Sequence, residues 1–298
     1  MSNYAIILVL FSAFAHSSWN FLVKRSDNPS FSVIGLSFFS LAINIGISFL
    51  FGVVESIDSR AWPYMISTVV IHAIYFVLLG KAYRYSDLSS VYPIARGIGL
   101  AGVPILASIF TGDIVSIQGI FGILLILIGV MLVGVFDKGS LGSLKQLFSF
   151  LDMFQKNISR GLMFSLGTGL VISTYSIIDS VAVSLMNPLL YMNFVFGGGI
   201  FGVIFLIWRK EYNLSSIKTE MYSSWKLFLI GGICSCFAYI LVLQAYTLSQ
   251  VSYVAPFREI GVAFGVLLGY IALREKISYI KVLGVGSILV GAVIISLS

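Results

Sequence analysis

The stretch "VYPIARGIG", Val91 to Gly99, returns in altered form 163 positions later as "VAPFREIGV", Val254 to Val262. Each copy carries charge inside an otherwise apolar run, in a chain of 298 residues of which only 10% are charged. Set side by side without gaps, Ala82–Val103 and Ala245–Val266 agree at eight of 22 positions. Ala82, Tyr83, Ser86, Ser89, Val91, Pro93, Gly102 and Val103 are matched by Ala245, Tyr246, Ser249, Ser252, Val254, Pro256, Gly265 and Val266. Past a one-residue slip, Asp113, Gly122 and Gly129 fall on Glu275, Gly284 and Gly291, and "SSWNF" (Ser17–Phe21) weakly echoes "STYSI" (Ser173–Ile177). The chain therefore reads as two copies of one unit.

Its composition says in which solvent that unit works. The chain is 58% hydrophobic with a mean hydropathy of +1.02, far above an ordinary soluble domain. Apolar runs of about 20 residues recur throughout, each long enough to cross a hydrocarbon layer as a helix. Hydropathy sets ten spans, near residues 4–23, 31–53, 62–80, 89–110, 114–136, 158–182, 188–208, 225–247, 251–273 and 277–297. The first run has no basic start and ends on Lys24 and Arg25, which marks a retained span and not a removable signal peptide. The expected fold is an all-α polytopic membrane protein of ten transmembrane helices. Its units are residues 1–137 and 158–298, joined by a cytoplasmic linker, 138–157, that either lies along the membrane surface as an amphipathic helix or is solvated.

Five spans per unit is an odd number, so the second unit enters the membrane from the opposite face and the two repeats are inverted. Lys and Arg fix the orientation, because basic loops stay in the cytoplasm. Fifteen of them fall on one set of loops, against Arg60 alone on the other, which puts both termini outside. The formal charge of +6 then follows from topology and does not imply a nucleic-acid partner. Inverted repeats recur in secondary transporters, with the substrate near the midplane between the halves.

The tandem five-span units resemble the EamA family of the drug/metabolite transporter superfamily. The likeness lies in "AYxxSxxSxVxPxxR" (Ala82–Arg96), "AYxxSxVSYVAPxRE" (Ala245–Glu259) and the closing "REKISYIKVLGVGSILVGAVII" (Arg274–Ile295). The resemblance implies the fold and transport as a class; the family includes amino-acid exporters and carriers of other small metabolites. "AHSSWNFLVKR" (Ala15–Arg25) is similar to a branch with a His-x-x-Trp-Asn pattern, some of whose members are associated with phosphonate utilisation. The family's acidic residue ahead of the last helix of each unit is Glu275 in the second half and Asp113 in the first.

A charge in mid-membrane costs at least about 2.5 to 3.5 kcal/mol even on lenient insertion scales, so each one is a functional candidate. Arg96 falls about 10 Å below the cytoplasmic end of the fourth span, and Glu259 about 12 Å from the opposite face on the ninth. In a core of roughly 30 Å the remaining gap of about 8 Å is one that two long side chains nearly close. Both residues occupy one column of the repeat, which an axis in the membrane plane exchanges, so they are expected to face each other. The pair is then either a structural lock or part of the substrate site. Arg258 points to the cavity or snorkels outward. Pro93 and Pro256 are expected to break their helices, either exposing carbonyls to a cavity or only kinking the chain.

The first span adds a polar face, with Ser12, His16, Trp19, Asn20 and Lys24 at i, i+4, i+7, i+8 and i+12. His16 either carries a coupling proton or stays neutral against a neighbouring helix. His72 and Tyr75 on the third span, and Tyr239, Gln244 and Tyr246 on the eighth, extend the set. Trp19, Tyr92, Tyr175 and Tyr253 can wall a pocket for an amine by cation–π attraction. Asp179 is expected at the outer interface. Gly122, Gly129, Gly284 and Gly291 are expected at close helix contacts. Cys234 and Cys236 read as buried thiols, and no motif calls for a metal or cofactor.

These residues point to a secondary active transporter of a small polar or zwitterionic metabolite, of amino-acid, amine or aminophosphonate type, working by alternating access in a bacterial cytoplasmic membrane. A proton is a candidate coupling ion, and membrane lipid is the surrounding partner. The chain has no GxxxxGK[ST], so ATP is not the driver. The alternatives are a non-transporting scaffold or receptor on the same fold and an integral-membrane enzyme. Against the enzyme stand the absence of paired carboxylates, His clusters or a nucleophile motif.

Overall fold

The computed structural model describes residues 1–24, 29–53, 57–85, 88–135, 160–210, 213–274 and 277–298. Among them there are helices and no strand. The first half contributes α1 (Asn3–Lys24), α2 (Pro29–Leu50), α3 (Trp62–Tyr85), α4 (Leu88–Phe110) and α5 (Ile117–Val135). The second contributes α6 (Arg160–Leu185), α7 (Pro188–Trp208), a short connecting α8 (Leu214–Ser223), α9 (Trp225–Tyr246), α10 (Val251–Phe257), α11 (Ile260–Leu273) and α12 (Tyr279–Leu297). Eight described segments are long and apolar enough to cross a membrane, α10 and α11 together making one of them. Shorter apolar stretches lie in α2 and α4. Large apolar side chains such as Phe49, Ile105, Leu170, Ile230 and Val293 cover the outer faces. That is the surface of a multi-pass integral membrane protein, whose solvent on those faces is hydrocarbon. The linker 138–157 and Glu275 lie outside the described residues.

Local chemistry sets the helix ends. Asn187 caps α7 by accepting from Leu189 N–H ahead of Pro188, and Ser278 caps α12 by accepting from Lys281 N–H. Gly112, at φ +72°, makes the turn out of α4 that a side chain would strain. Just beyond it Asp113 reaches into the other half, where its Oδ2 accepts from Ser252 N–H at 3.1 Å in the first turn of α10. An anion there satisfies an orphan helix donor and meets the positive end of the helix dipole.

The helix pairings respect an exchange of halves. With α1, α2, α3, α4 and α5 set against α6, α7, α9, α10–α11 and α12, the packing of α4 on α6 answers that of α1 on α11. Likewise α3 on α6 answers α1 on α9, α3 on α7 answers α2 on α9, and α2 on α7 and α5 on α12 answer themselves. The α5–α12 crossing is the tightest to read. A Cβ added to Gly122 would come 2.9 Å from the Gly291 carbonyl oxygen, and one added to Gly129 would come 2.5 Å from that of Gly284. Rising numbers on α5 meet falling numbers on α12, so the two helices run antiparallel. Small residues let such backbones touch where lipid supplies no hydrophobic drive. Ser287 Oγ adds a 2.6 Å bond to the Leu125 carbonyl.

Pro93 does not break its helix: α4 runs unbroken through it, whereas the second copy is interrupted two residues after Pro256. A proline removes one ladder bond, which a membrane helix absorbs. The interruption needs the local turn at Arg258 and Glu259, where Glu259, Gly261 and Val262 N–H bond three residues back, to Pro256, Arg258 and Glu259.

Candidate functional site

A cavity of about 80 Å³ opens between the halves. Four segments of each half line it: α1 to α4 through residues such as His16, Ser37, His72 and Arg96, and α6, α7, α9 and the α10–α11 break through Tyr175, Phe196, Tyr239 and Arg258. Among the described residues, the fifth helix of each half, paired with its counterpart, lines none of it.

Arg96 and Glu259 meet here. Arg96 Nε donates to Glu259 Oε2 at 3.1 Å and its Nη2 lies 2.9 Å from Oε1, a two-pronged pair that is nearly all buried. Arg96 borders the main cavity, while Glu259 borders an adjoining smaller one with Tyr175, Ser176 and Tyr246. The interruption after α10 lets both neighbours in sequence, Arg258 and Glu259, turn inward, at 7% and 5% exposure.

Arg258 is held differently. Its Nη2 lies 3.1 Å from His16 Nδ1, and Trp19 Nε1 donates to the same nitrogen at 3.2 Å. Both neighbours can only donate, so Nδ1 is an acceptor and the ring proton sits on Nε2. Of the two roles open to His16, this geometry holds the neutral one: His16 positions Arg258. The guanidinium also lies over the Tyr239 ring, 5.9 Å from its centroid. Its Nε is buried without a hydrogen-bond partner, and among the described residues Arg258 forms no ion pair.

Asp179 is not at an outer interface. It is 1% exposed in the interior, where three hydroxyl groups converge on it. Tyr239 donates to Oδ2 at 2.5 Å, Tyr191 to Oδ1 at 2.6 Å and Thr68 to Oδ1 at 3.4 Å. Because the Tyr239 phenol has spent its proton on Asp179, His72 Nε2, 3.2 Å away, must donate to it. His72 Nδ1 lies 3.0 Å from both the hydroxyl and the carbonyl of Thr68. Thr68 has one hydroxyl proton: it serves Nδ1 when the ring is neutral, leaving Asp179 to the two phenols, and turns to Asp179 when a protonated Nδ1–H donates to the Thr68 oxygens.

The remaining candidates divide. Tyr75 and Tyr175 stack around His72, with Tyr175 4.8 Å and Tyr75 6.5 Å from it between ring centroids, and both line the cavity. Asn20 donates to the His16 carbonyl at 2.7 Å and lines a smaller cavity with Trp19 and Arg96. Gln244 is exposed on the outer side of α9, since the cavity takes the Ser235–Tyr239 face. Tyr253 packs on Gly119, and its hydroxyl accepts from Ser116 N–H at 2.8 Å, so it anchors α10 to α5 away from the cavity. The side chains of Tyr92, Pro93 and Lys24 lie outside the described residues. Sequence reasoning missed Ser37, Ser40, Phe76, Phe196 and Ser235 on the cavity wall. For Asp179 there was a signal: it lies four residues beyond Tyr175 on the same helical face. Cys236 is a free thiol donating to the Ser40 carbonyl, and no group of three metal-binding side chains gathers among the described residues.

Comparison with known proteins adds independent marks. Residues 159–297 match the EamA-like transporter family, and residues 45–126 match the Small Multidrug Resistance protein family. The multidrug resistance protein EbrB of Bacillus subtilis (strain 168) is 32% identical over 73 residues, 24% of this chain and 62% of that protein. The chain thus spans less than two thirds of that relative's length. A solved crystal structure superposes with a TM-score of 0.75 over 100% of this chain and 98% of its own, at 13% identity, a likeness of fold alone.

Proposed function

We propose that this chain, whose residues 159–297 match the EamA-like transporter family, is a secondary transporter of a small polar or zwitterionic metabolite, working by alternating access. One observation carries the reading: the central cavity is walled by four helical segments from each half, while α5 and α12 pair outside it. Two halves that pack helix against helix around a shared cavity, in pairings that an exchange of halves preserves, can rock against each other around a fixed site. The exchange pattern of the helix pairings and the antiparallel α5–α12 crossing support an inverted five-helix repeat, 1–137 and 158–298, around that site. The basic loops support both termini outside a bacterial cytoplasmic membrane.

The reading assigns roles. Arg96 and Glu259 hold the two halves at the pseudo-axis and break or re-pair as the cavity changes face. Movement is driven by a gradient, with a proton as the coupling ion. His72, Asp179, Tyr239 and Thr68 are its carrier, because His72 Nδ1 has a hydrogen-bond partner in either charge state. Arg258, Tyr191, Tyr175 and Tyr75 are the other ionisable groups around it.

The test is counterflow in proteoliposomes. Vesicles loaded with an unlabelled amino acid, aminophosphonate, carboxylate or amine are diluted into the labelled form, with and without an imposed pH gradient. Exchange of at least one class, lost in Glu259→Gln protein that still elutes as a folded species, is the expected result. No exchange of any class by well-folded protein overturns the reading.

A further inference from the structure

The cavity's charge is lopsided. Two arginines and two histidines line it, and no carboxylate does among the described residues. Arg96 is neutralised by the two-pronged bond from Glu259, whose carboxylate faces the smaller adjoining space. Asp179 spends both oxygens on hydroxyl groups and does not reach the cavity wall. What remains is Arg258, held in place by His16 on one side and the Tyr239 ring on another, with a buried Nε–H that has no acceptor. Glu259 lies within electrostatic reach of Arg258 as well as Arg96, but one carboxylate balances only one of two buried cations, and a buried donor without an acceptor is rare. Such a group is a site waiting for an anion.

We propose that the transported solute is an organic anion whose carboxylate or phosphonate head pairs with Arg258 and whose flat apolar body lies among Tyr75, Phe76, Tyr175 and Phe196. This rests on the transporter reading and narrows its substrate class: it excludes simple amines, for which the cavity offers no carboxylate. The guanidinium supplies a planar fork of donors that matches an oxyanion, and the low dielectric around it strengthens the pairing. The aromatic walls receive an apolar ring by area and by edge contacts. His16 is a positioning residue, since its Nδ1 fixes the guanidinium.

The experiment is a matched set of phenyl compounds, differing only in the head group, added to the purified full chain in detergent. Phenylacetate and benzylphosphonate separate the two oxyanion heads, phenylalanine is the zwitterion, phenethyl alcohol the neutral form and phenethylamine the cation. Binding is read by calorimetry and by the rise in apparent unfolding temperature. The expected result is that one or both oxyanions bind at least tenfold tighter than phenethylamine. Arg258→Gln should then erase that preference while leaving phenethyl alcohol unchanged, and Arg258→Lys should keep part of it. Amine binding equal to or tighter than both oxyanions, or oxyanion binding indifferent to Arg258→Gln, overturns the proposal. Failure of every oxyanion to bind overturns it too. Should Arg258→Gln not fold, the ranking on the unaltered protein still decides. Counterflow of the same set separates the two readings. Phenethylamine exchanging while phenylacetate and benzylphosphonate do not sinks the anion and spares transport. Tight oxyanion binding without exchange of any compound does the reverse.

Discussion

Arg258 lies over the face of Tyr239, 5.9 Å from the ring centroid, while the hydroxyl of the same ring donates to Asp179 at 2.5 Å. One aromatic ring thus separates the cation facing the cavity from the acid behind it, and joins the solute's side of the site to the proposed proton carrier. Tyr239→Phe keeps the face for Arg258 and removes the hydroxyl from Asp179 and His72. Oxyanion binding is expected to survive within about threefold, since it draws on the ring face and the guanidinium. Uptake driven by a pH gradient is expected to fall to its gradient-free level, and apparent stability by about 1 to 3 kcal/mol for the acceptor left short of a donor. Flux with and without the gradient, beside calorimetry, measures all three. Gradient-driven uptake at the unaltered level would take the proton away from this network.

The Arg96–Glu259 pair invites a separation of lock from site. Removing one partner of a buried pair typically costs about 3 to 5 kcal/mol, whereas replacing both by apolar groups of similar volume is often neutral. Glu259→Leu alone is therefore expected to depress the unfolding temperature, and Arg96→Met with Glu259→Leu to restore most of it. If the pair re-forms during transport, counterflow stays lost in the restored double variant. Recovery of counterflow along with stability would reduce the pair to a structural clamp.

The all-helical, multi-pass character and the bounds of several helices were legible because hydropathy is a strong periodic signal. An expected span at 188–208 and the observed α7, Pro188–Trp208, agree to the residue, since Asn187 and Pro188 mark the start. Arg96 facing Glu259 was legible for the same reason: two charges in one repeat column have few other places to go. Three features were not. The interruption after Pro256 but not at Pro93 depends on whether the following residues turn inward, which a single proline does not encode. Asp179 was misplaced because span counting put it near a helix end, whereas the hydroxyl groups that donate to it come from three other helices, α3, α7 and α9. Phe76 and Phe196 are aromatic residues among many in a chain with 14% of them, and nothing local distinguishes a cavity wall from packing.

The α5–α12 seam makes a prediction about packing. Gly129→Ala would drive a Cβ to 2.5 Å from the Gly284 carbonyl oxygen, 2.6 Å from Ile288 Cγ1 and 2.9 Å from the Ile288 backbone nitrogen, so backbone itself would have to shift. A loss of about 1 to 3 kcal/mol is expected, as for other overpacked interiors. Gly286→Ala, two residues beyond Gly284 on another face of α12 with nothing within 4 Å, is the control. It is expected to be neutral or to gain about 0.5 to 1 kcal/mol, because alanine loses less backbone freedom in a helix. Thermal unfolding of both variants in the same mild detergent reads the difference, and equal behaviour would mean the seam is looser than its geometry.

Orientation follows from charge and can be checked at the termini. Fifteen Lys and Arg on one set of loops against Arg60 on the other set predict that residue 2 and residue 298 face outward, and that Lys210 and Lys226 face the cytoplasm. Cys234 and Cys236 are free thiols and would confuse labelling, so the background is Cys234→Ala with Cys236→Ala. In that background a membrane-impermeant maleimide on intact cells is expected to label Ser298→Cys but not Lys210→Cys, and to label both once the cells are opened. The helix count ties the two termini together: with an even number of crossings, Ser2→Cys must report the same side as Ser298→Cys. Labels on opposite sides would break the ten-span topology and the inverted repeat with it. Both termini inside would keep the repeat and reverse only the face from which each half enters.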